Sequence, residues 1–390
     1  FTGYSLPDDL LSGNGLRIID GMIKGIPVIG TAFSSGFFGG EFPGTEVVAR
    51  LYSLHIMILP ALIIVLIGVH LMMVIIHKHT HYSGPGRTDD NVVGYPLMPV
   101  YVAKAGGFFF LVFGVVAAIA ATFTINPIWN YGPYDPSPVS AGTQPDWYIG
   151  WLDGALRLAP SGWDISIFGY VIPMGVMVPL IVSLLFLALV AAYPFIENWV
   201  TKDKREHHVL DRPRNAPTRT AIGAAGVTFY AVLWAGASTD LIATNFQMSL
   251  NQVLVAMQIM LLIGPGIAYF VTKRACIALQ NKDREVVLHG RETGRVVRLP
   301  HGEYIEVHET VDKYELWKLI DYKDYQPVLA RPDSNGKISL GNRLRSAVSK
   351  IYFEDRIAPV SKAEYEIAHA DHAPEAVTEK PKRKQKSINA

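Results

Sequence analysis

Charge is scarce where a water-soluble fold would need it. Only 18% of the 390 residues are Asp, Glu, Lys or Arg, while half are hydrophobic. The deficit is uneven: roughly the first 280 residues hold long uncharged apolar runs, and the remainder is polar and charge-rich. Cysteine is almost absent. Cys276 alone excludes an internal disulfide, a cysteine-rich zinc site and a covalent c-type haem site, and near a helix end it reads as a small filler. A net charge of +1, with no basic face interleaved with aromatics, argues against nucleic acid as a partner. Phe1–Pro7 lack the layout of a signal peptide, and a start on Phe rather than Met reads as a missing N-terminal portion. No internal repeat is apparent.

What is present is apolar length. Five uncharged stretches stand out: Ile56–Ile76, Ala105–Ile125, Ile165–Ile196, Thr220–Thr239 and Ser249–Ile277. A run of about 18 or more such residues can cross a hydrocarbon core about 30 Å thick, and lipid forces it to be helical because no water is there to bond the peptide groups. Pro173, Pro179 and Pro194 should kink or bound the third stretch, and Gly264-Pro265-Gly266 should interrupt the fifth. The predicted fold class is an all-α integral membrane protein with about five transmembrane helices and a cytoplasmic C-terminal extension.

Loop charge sets the orientation. Lys202, Lys204, Arg205, Arg212, Arg214 and Arg219 lie between the third and fourth stretches. Arg157 faces Asp135, Asp146, Asp153 and Asp164 between the second and third. The basic loop is therefore expected in the cytoplasm, with 126–164 outside and the C-terminus cytoplasmic. Four regions follow: an outer-surface segment of short helices (1–49), the membrane region (50–279), a polar extension of small hairpins and helices (280–365), and a disordered basic tail (366–390). Glu285–Glu309 alternates and holds three glycines, as hairpins do.

Three groups of residues carry chemistry. His55 and His70 stand fifteen residues apart, a rise of about 22 Å and about four turns plus 60° on an α-helix, so both imidazoles can face one side of a bundle. Such a pair suits two haem irons at opposite membrane surfaces, or two unrelated histidines bonding neighbouring helices. Pro145-Asp146-Trp147-Tyr148 precedes the third stretch. Its carboxylate and phenol could bind a quinol hydroxyl and take its proton; alternatively Asp146 caps a helix and the aromatics sit in the interfacial belt. The first 49 residues hold turn-forming apolar segments too short to span.

Taken in order, GYSLPD, IPVIG, FFGG, LHIMILP…GVH, PDWY and ALRLAP resemble cytochrome b of the quinol–cytochrome c reductases, over residues 1 to about 275. The aspartate in PDWY and the long C-terminal extension are most similar to the actinobacterial menaquinol–cytochrome c reductases. The resemblance implies two b haems, with His55 a ligand of the low-potential haem near the outer surface and His70 of the high-potential haem near the cytoplasm. It implies an outer quinol-oxidation site of Pro145, Asp146, Trp147 and Tyr148, with Asp146 and Tyr148 acting on quinol and Ile26, Pro27 and Gly30 as another wall. Lys104, with His77 and His79, matches the inner quinone-reduction site. The implied partners are a Rieske iron–sulfur subunit, a cytochrome c subunit, a second copy of the complex, a terminal oxidase and membrane lipid, all at the plasma membrane. Electrons from menaquinol would divide between the Rieske protein and the inner quinone, coupled to proton translocation.

Departures are equally specific. Asp8 replaces the family's tryptophan, Asp146 is shorter than its glutamate, and Ala105 follows Lys104 where many relatives carry an aspartate. The family's second histidine for each haem lies on an earlier helix, so the chain reads as the C-terminal part of a longer subunit. Two other classes stay in view. A non-catalytic haem anchor of a dehydrogenase would leave the outer Asp-Trp-Tyr unexplained, and a proton-relay transporter would need more charge inside the spans.

Overall fold

A computed structural model of the chain describes residues 1–370, except 85, 86, 91–93, 95, 124–128, 130, 138–143, 161, 313, 314, 317, 318, 320–324 and 333. Most of the expected basic tail, from 371 on, lies outside the described residues.

The outer segment begins with a 3-10 turn, Thr2–Ser5, followed by α1 (Leu10–Lys24) and α2 (Gly30–Phe38). Asp9 caps α1 by accepting from the Ser12 N–H. Leu16, Phe38, Val47 and Leu51 close a small core with Tyr4, Ile23, Phe37 and Phe42 packed against it. Phe38 and Leu51 are almost fully buried, each worth roughly 1.5–3 kcal/mol. That core ties the surface helices to the start of the first span.

Among the described residues, four helices are long and apolar enough to cross a membrane: α3 (Val47–His77), α4 (Leu97–Thr122), α6 (Met174–Thr201) and α9 (Leu250–His289). A fifth span exists if α7 (Pro217–Gly236) and α8 (Thr239–Asn245), bent by 69°, count as one crossing. The spans thus number four or five.

Local departures from the sequence expectation have physical causes. Within α3 the turn Leu54–Ile58 is a π-turn, closed by the Leu59 N–H on the Leu54 carbonyl. Pro60 follows directly; it has no N–H to give the carbonyl four residues back, which favours a wider turn. The third stretch does not begin as helix. β1 (Asp164–Ile167) and β2 (Tyr170–Pro173) pair antiparallel, so the fold is not wholly α. Pro173 then caps α6 and leaves Pro179 and Pro194 inside it. Gly264-Pro265-Gly266 does not interrupt the fifth stretch: α9 runs through Pro265 for 40 residues. Its Ser249–Gln252 capping box starts the helix, which at about 60 Å is twice a hydrocarbon thickness. Because α9 reaches His289, the expected hairpins shrink to one among the described residues, β3 (Arg291–Arg298) with β4 (Tyr304–Glu309).

The overhang of α9 holds part of the polar extension. Gln280 donates to the Asp355 carbonyl and accepts from the Ile357 N–H, while Arg284 bonds the Ala358 carbonyl and Glu364. From α10 (Leu340–Phe353), Tyr352 donates to Glu197 of α6, which also pairs with Arg219 of α7 at 3.2 Å. The extension is thereby bonded to the ends of three helices.

Between α4 and α6 lies a short helix, α5 (Gly150–Leu158), so the PDWY motif does not lead straight into the third span. Ala155, Leu158 and Leu233 form the core that docks α5 on α7, with Leu254, Met257 and Leu261 of α9 alongside. Small residues permit the approach: a Cβ at Gly154 would lie 1.7 Å from the Leu233 carbonyl oxygen. Gly154→Ala should therefore push α5 off α7 and cost about 1–3 kcal/mol. Gly226→Ala, in the same helix as Leu233 but facing open space, should be neutral or slightly stabilising. Thermal unfolding of the two purified variants checks this; equal midpoints would refute it.

Candidate functional site

A cavity of about 500 Å³ opens between α1 and α5, with Tyr4, Gly15, Met22, Pro145, Asp146 and Asp153 among its lining residues. That volume suits a small organic ligand on a mostly apolar wall with a few convergent polar groups. The polar groups are organised. The Asp146 carboxylate accepts from the Tyr4 hydroxyl and from the Tyr148 hydroxyl, each at 3.0 Å, and the two phenols are 3.3 Å apart. Residues from two distant parts of the chain thus share one proton-bearing cluster.

Asp146 is not a side-chain cap. Its backbone carbonyl accepts from Ile149 and Gly150, and the cap residue Ile149 makes no side-chain capping bond. The carboxylate is left for the phenols. Burial first, then the Tyr148 hydrogen bond and the Asp146 charge, push the Tyr4 phenol well above its ordinary pKa. Burial does the same for Tyr148, with Asp146 reinforcing it. Both phenols therefore stay protonated, and both donate to the carboxylate.

A second acidic group adjoins the first. Asp153 pairs with Arg157 at 2.7 Å, and Arg157 reaches Asp240 of α8 at 3.2 Å, which also accepts from Gln144 at 2.9 Å. Burial raises the Asp153 pKa; Arg157 opposes the shift. Of the sequence-predicted outer residues, Pro145 and Asp146 line the cavity, while Trp147, Tyr148, Ile26, Pro27 and Gly30 are not among its lining residues. Trp147 is exposed, and its carbonyl accepts from the Trp234 indole at 2.8 Å. Ile26, Pro27 and Gly30 form the α1–α2 turn, where a Cβ at Gly30 would sit 2.3 Å from the Ile23 carbonyl oxygen. Tyr4, Gln144 and Asp240 were not singled out from sequence. Tyr4 had a signal in the GYSLPD motif; the other two had none.

His55 lies in the π-turn, half-buried, with Nδ1 2.8 Å from the Thr2 hydroxyl. That contact leaves Nε2 for another partner, the arrangement a metal-binding imidazole needs. His70 is exposed farther along the same helix. A π-turn takes up about one extra residue, so the offset of about 60° on an ideal helix becomes about 40° in the other sense. Both histidines remain on one side of α3. Imidazoles so placed would suit one ligand to each of two haem irons.

At the other end of α3, His77 is the last helical residue. His79 has its Nε2 3.5 Å from the Tyr101 hydroxyl at the start of α4. Lys104 sits one turn beyond Tyr101. Of the three inner candidates, His79 is the one the structure brings to α4, through Tyr101.

Helices of membrane-crossing length, with a phenol-and-carboxylate cavity beside them, define a multi-pass membrane protein with a cavity at the helix ends. A family model described as cytochrome b (N-terminal)/b6/petB matches residues 1–133. The cytochrome bc1 complex cytochrome b subunit of Streptomyces coelicolor is 52% identical over 379 residues, covering 95% of this chain and 69% of that protein. The subunit of the same name from Mycobacterium tuberculosis is 50% identical over 310 residues, 79% of this chain and 56% of that one. The chain belongs to the cytochrome b family, with the cytochrome b subunits of bc1-type respiratory complexes. A solved structure titled "Hyperthermophilic respiratory Complex III" matches with a TM-score of 0.45 and 19% identity, over 70% of this chain and 66% of that one.

The shared cluster makes a measurable claim. Tyr4→Phe keeps the ring and removes one donor from a carboxylate, and the coupling between Tyr4→Phe and Asp146→Asn in a double-mutant cycle should be about 1 kcal/mol. Thermal unfolding of the four proteins measures it. Strict additivity would mean the two side chains do not depend on each other.

Proposed function

We propose that this cytochrome b oxidises quinol, of the menaquinol class, in the cavity between α1 and α5 and reduces quinone at the opposite membrane face. The observation that carries the reading is the Asp146 carboxylate, held by Tyr4 and Tyr148 on the wall of a mostly apolar cavity.

Oxidising a quinol releases two electrons and two protons, so the site must accept protons as the electrons leave. A quinol hydroxyl that enters the cluster exchanges a phenol's hydrogen bond for its own, and Asp146 is the nearest acceptor. Tyr148 and Tyr4, kept protonated by burial, orient the ring and cannot compete for the proton. Asp153, raised by burial and held by Arg157, is a second acceptor on the same wall. Apolar residues of α1 and α5 keep bulk water from the reacting hydroxyl.

His55 and His70 would each hold one b haem, which when bound carries electrons across the low-dielectric layer. One electron would pass to a Rieske iron–sulfur protein and on to cytochrome c, the other to the inner quinone near Lys104, His77 and His79. Release of protons on one side and uptake on the other would couple the reaction to proton translocation. The complex would be dimeric in the plasma membrane, associated with a terminal oxidase, with residues 280–390 in the cytoplasm by the charge asymmetry of the loops.

Asp146→Asn keeps the shape and removes the ionisable group. Assembly should be normal, and quinol-driven haem reduction with the inner site inhibited should slow by about 10²-fold or more. A wild-type rate would leave PDWY a mere helix start. His55→Ala and His70→Ala should each remove one of two dithionite-reducible b haems from the optical spectrum, and two native haems in both variants would overturn the ligand assignment.

A further inference from the structure

Five of the chain's twelve histidines, His77, His79, His81, His207 and His208, occupy two segments on one side of the membrane region. One follows α3 and the other follows α6. They are far apart in sequence but bonded to each other. The His81 N–H donates to the His208 carbonyl at 2.7 Å, and the Leu210 N–H to the His81 carbonyl at 2.8 Å. Asp89 accepts from the backbone N–H groups of His208 at 3.0 Å and Val209 at 2.9 Å. The backbone does the joining, so the imidazoles are not needed to hold the loops together.

The imidazoles are instead interleaved with carboxylates. His207 lies 3.2 Å from Asp203 and 3.7 Å from Asp89, and His208 lies 3.2 Å from Glu206. His79 packs its ring 5.8 Å from both His81 and Tyr101. Arg87, His79 and His208 all bear on His81, and Arg205 neutralises part of Asp203. The groups are arrayed from the loop at Asp203 and His207 to His208, which the backbone joins to His81, and from His81 by ring packing to His79 and Tyr101, one turn from Lys104.

Histidine is the side chain whose ordinary pKa, about 6.5, allows it both to take and to give a proton near neutrality. Burial first, and then the positive charges around it, hold His81 below its ordinary value, so it passes a proton on readily. Among the described residues no three His, Cys, Asp or Glu side chains converge as metal ligands would. Proton exchange is chemistry that imidazoles interleaved with carboxylates can perform. Ala105, next to Lys104, supplies no carboxylate at that position.

We propose that the paired loops carrying His81, His207, His208, Asp89 and Asp203 form a proton-collecting array that feeds the inner quinone site through His79 and Tyr101. The inference rests on the quinone-reducing reading of that site. Each quinone reduced there takes two electrons and two protons, and the array supplies the protons from the adjacent aqueous phase.

The test uses the intact complex in sealed vesicles with a pH-indicating dye on the inner-site face. The triple variant His81→Gln, His207→Gln and His208→Gln keeps hydrogen-bonding side chains and every backbone bond of the bridge. Proton uptake at about pH 8 should fall about tenfold, recover with added imidazole, and be less affected at about pH 6 where bulk protons are plentiful. Quinol oxidation at the outer cavity, with the inner site inhibited, should be unchanged. Wild-type uptake with an unaltered pH profile overturns the proposal, as does slowing that imidazole does not relieve. Should the triple variant fail to assemble, His207→Gln alone must show the same pH-dependent, imidazole-relieved slowing, and its absence is equally fatal. A wild-type complex without quinone-dependent haem reoxidation would instead sink the reading of the inner site itself.

Discussion

A peptide group inside a hydrocarbon layer has no solvent to bond to, and this constraint shapes the rest of the molecule. The spans must be helices whose N–H and C=O groups satisfy each other, and their side chains must be almost uncharged. Ionisable groups are consequently driven to the helix ends and connecting segments. The Asp146 cluster, the Arg157–Asp240 pair and the paired histidine loops all lie there, outside the apolar interiors of the spans. The exception is the helix α3, which carries His55 and His70, and a polar side chain at such depth calls for a partner.

The ends are where packing has to be built, since lipid offers no hydrophobic drive between spans. The two compact cores illustrate this. One, around Phe38 and Leu51, fastens the surface helices to the start of α3; the other, around Leu158 and Leu233, seats α5 against α7. Together they set the two walls of the cavity, α1 and α5, and so decide that Tyr4 and Asp146 meet. Their hydrogen bond joins residues 142 positions apart.

The overhanging end of α9 plays the matching role on the other side. Lys273 pairs with Asp355, and Gln280 and Arg284 bind the backbone around residues 355–358. Tyr325 stacks beneath Arg356 and bonds Asp211, next to the loop that holds His207 and His208. The described parts of the polar extension around Tyr325 and from Tyr352 to Glu364 are therefore bonded to the helix ends and the adjoining loop, and their contacts help to order the loop proposed to gather protons.

Much of the fold was legible in the sequence because hydropathy is local and additive along the chain. Five apolar stretches foretold four or five crossings, Ser249 marked the start of α9, and the alternation after Glu285 marked a hairpin. The histidine pair and PDWY could be named because their residue types are rare in such surroundings. What sequence could not show was which distant polar groups meet. Proline and glycine at 264–266 predicted a break that α9 does not make, and Pro60 gave no direct sign of the π-turn that resets the angle between His55 and His70. Asp146 read from its local pattern as a helix cap, and the path of the first helices instead brings the Tyr4 hydroxyl to its carboxylate. Local pattern measures a residue's preference for water or lipid. Its partner is chosen by helix packing and loop path, which depend on the whole chain at once.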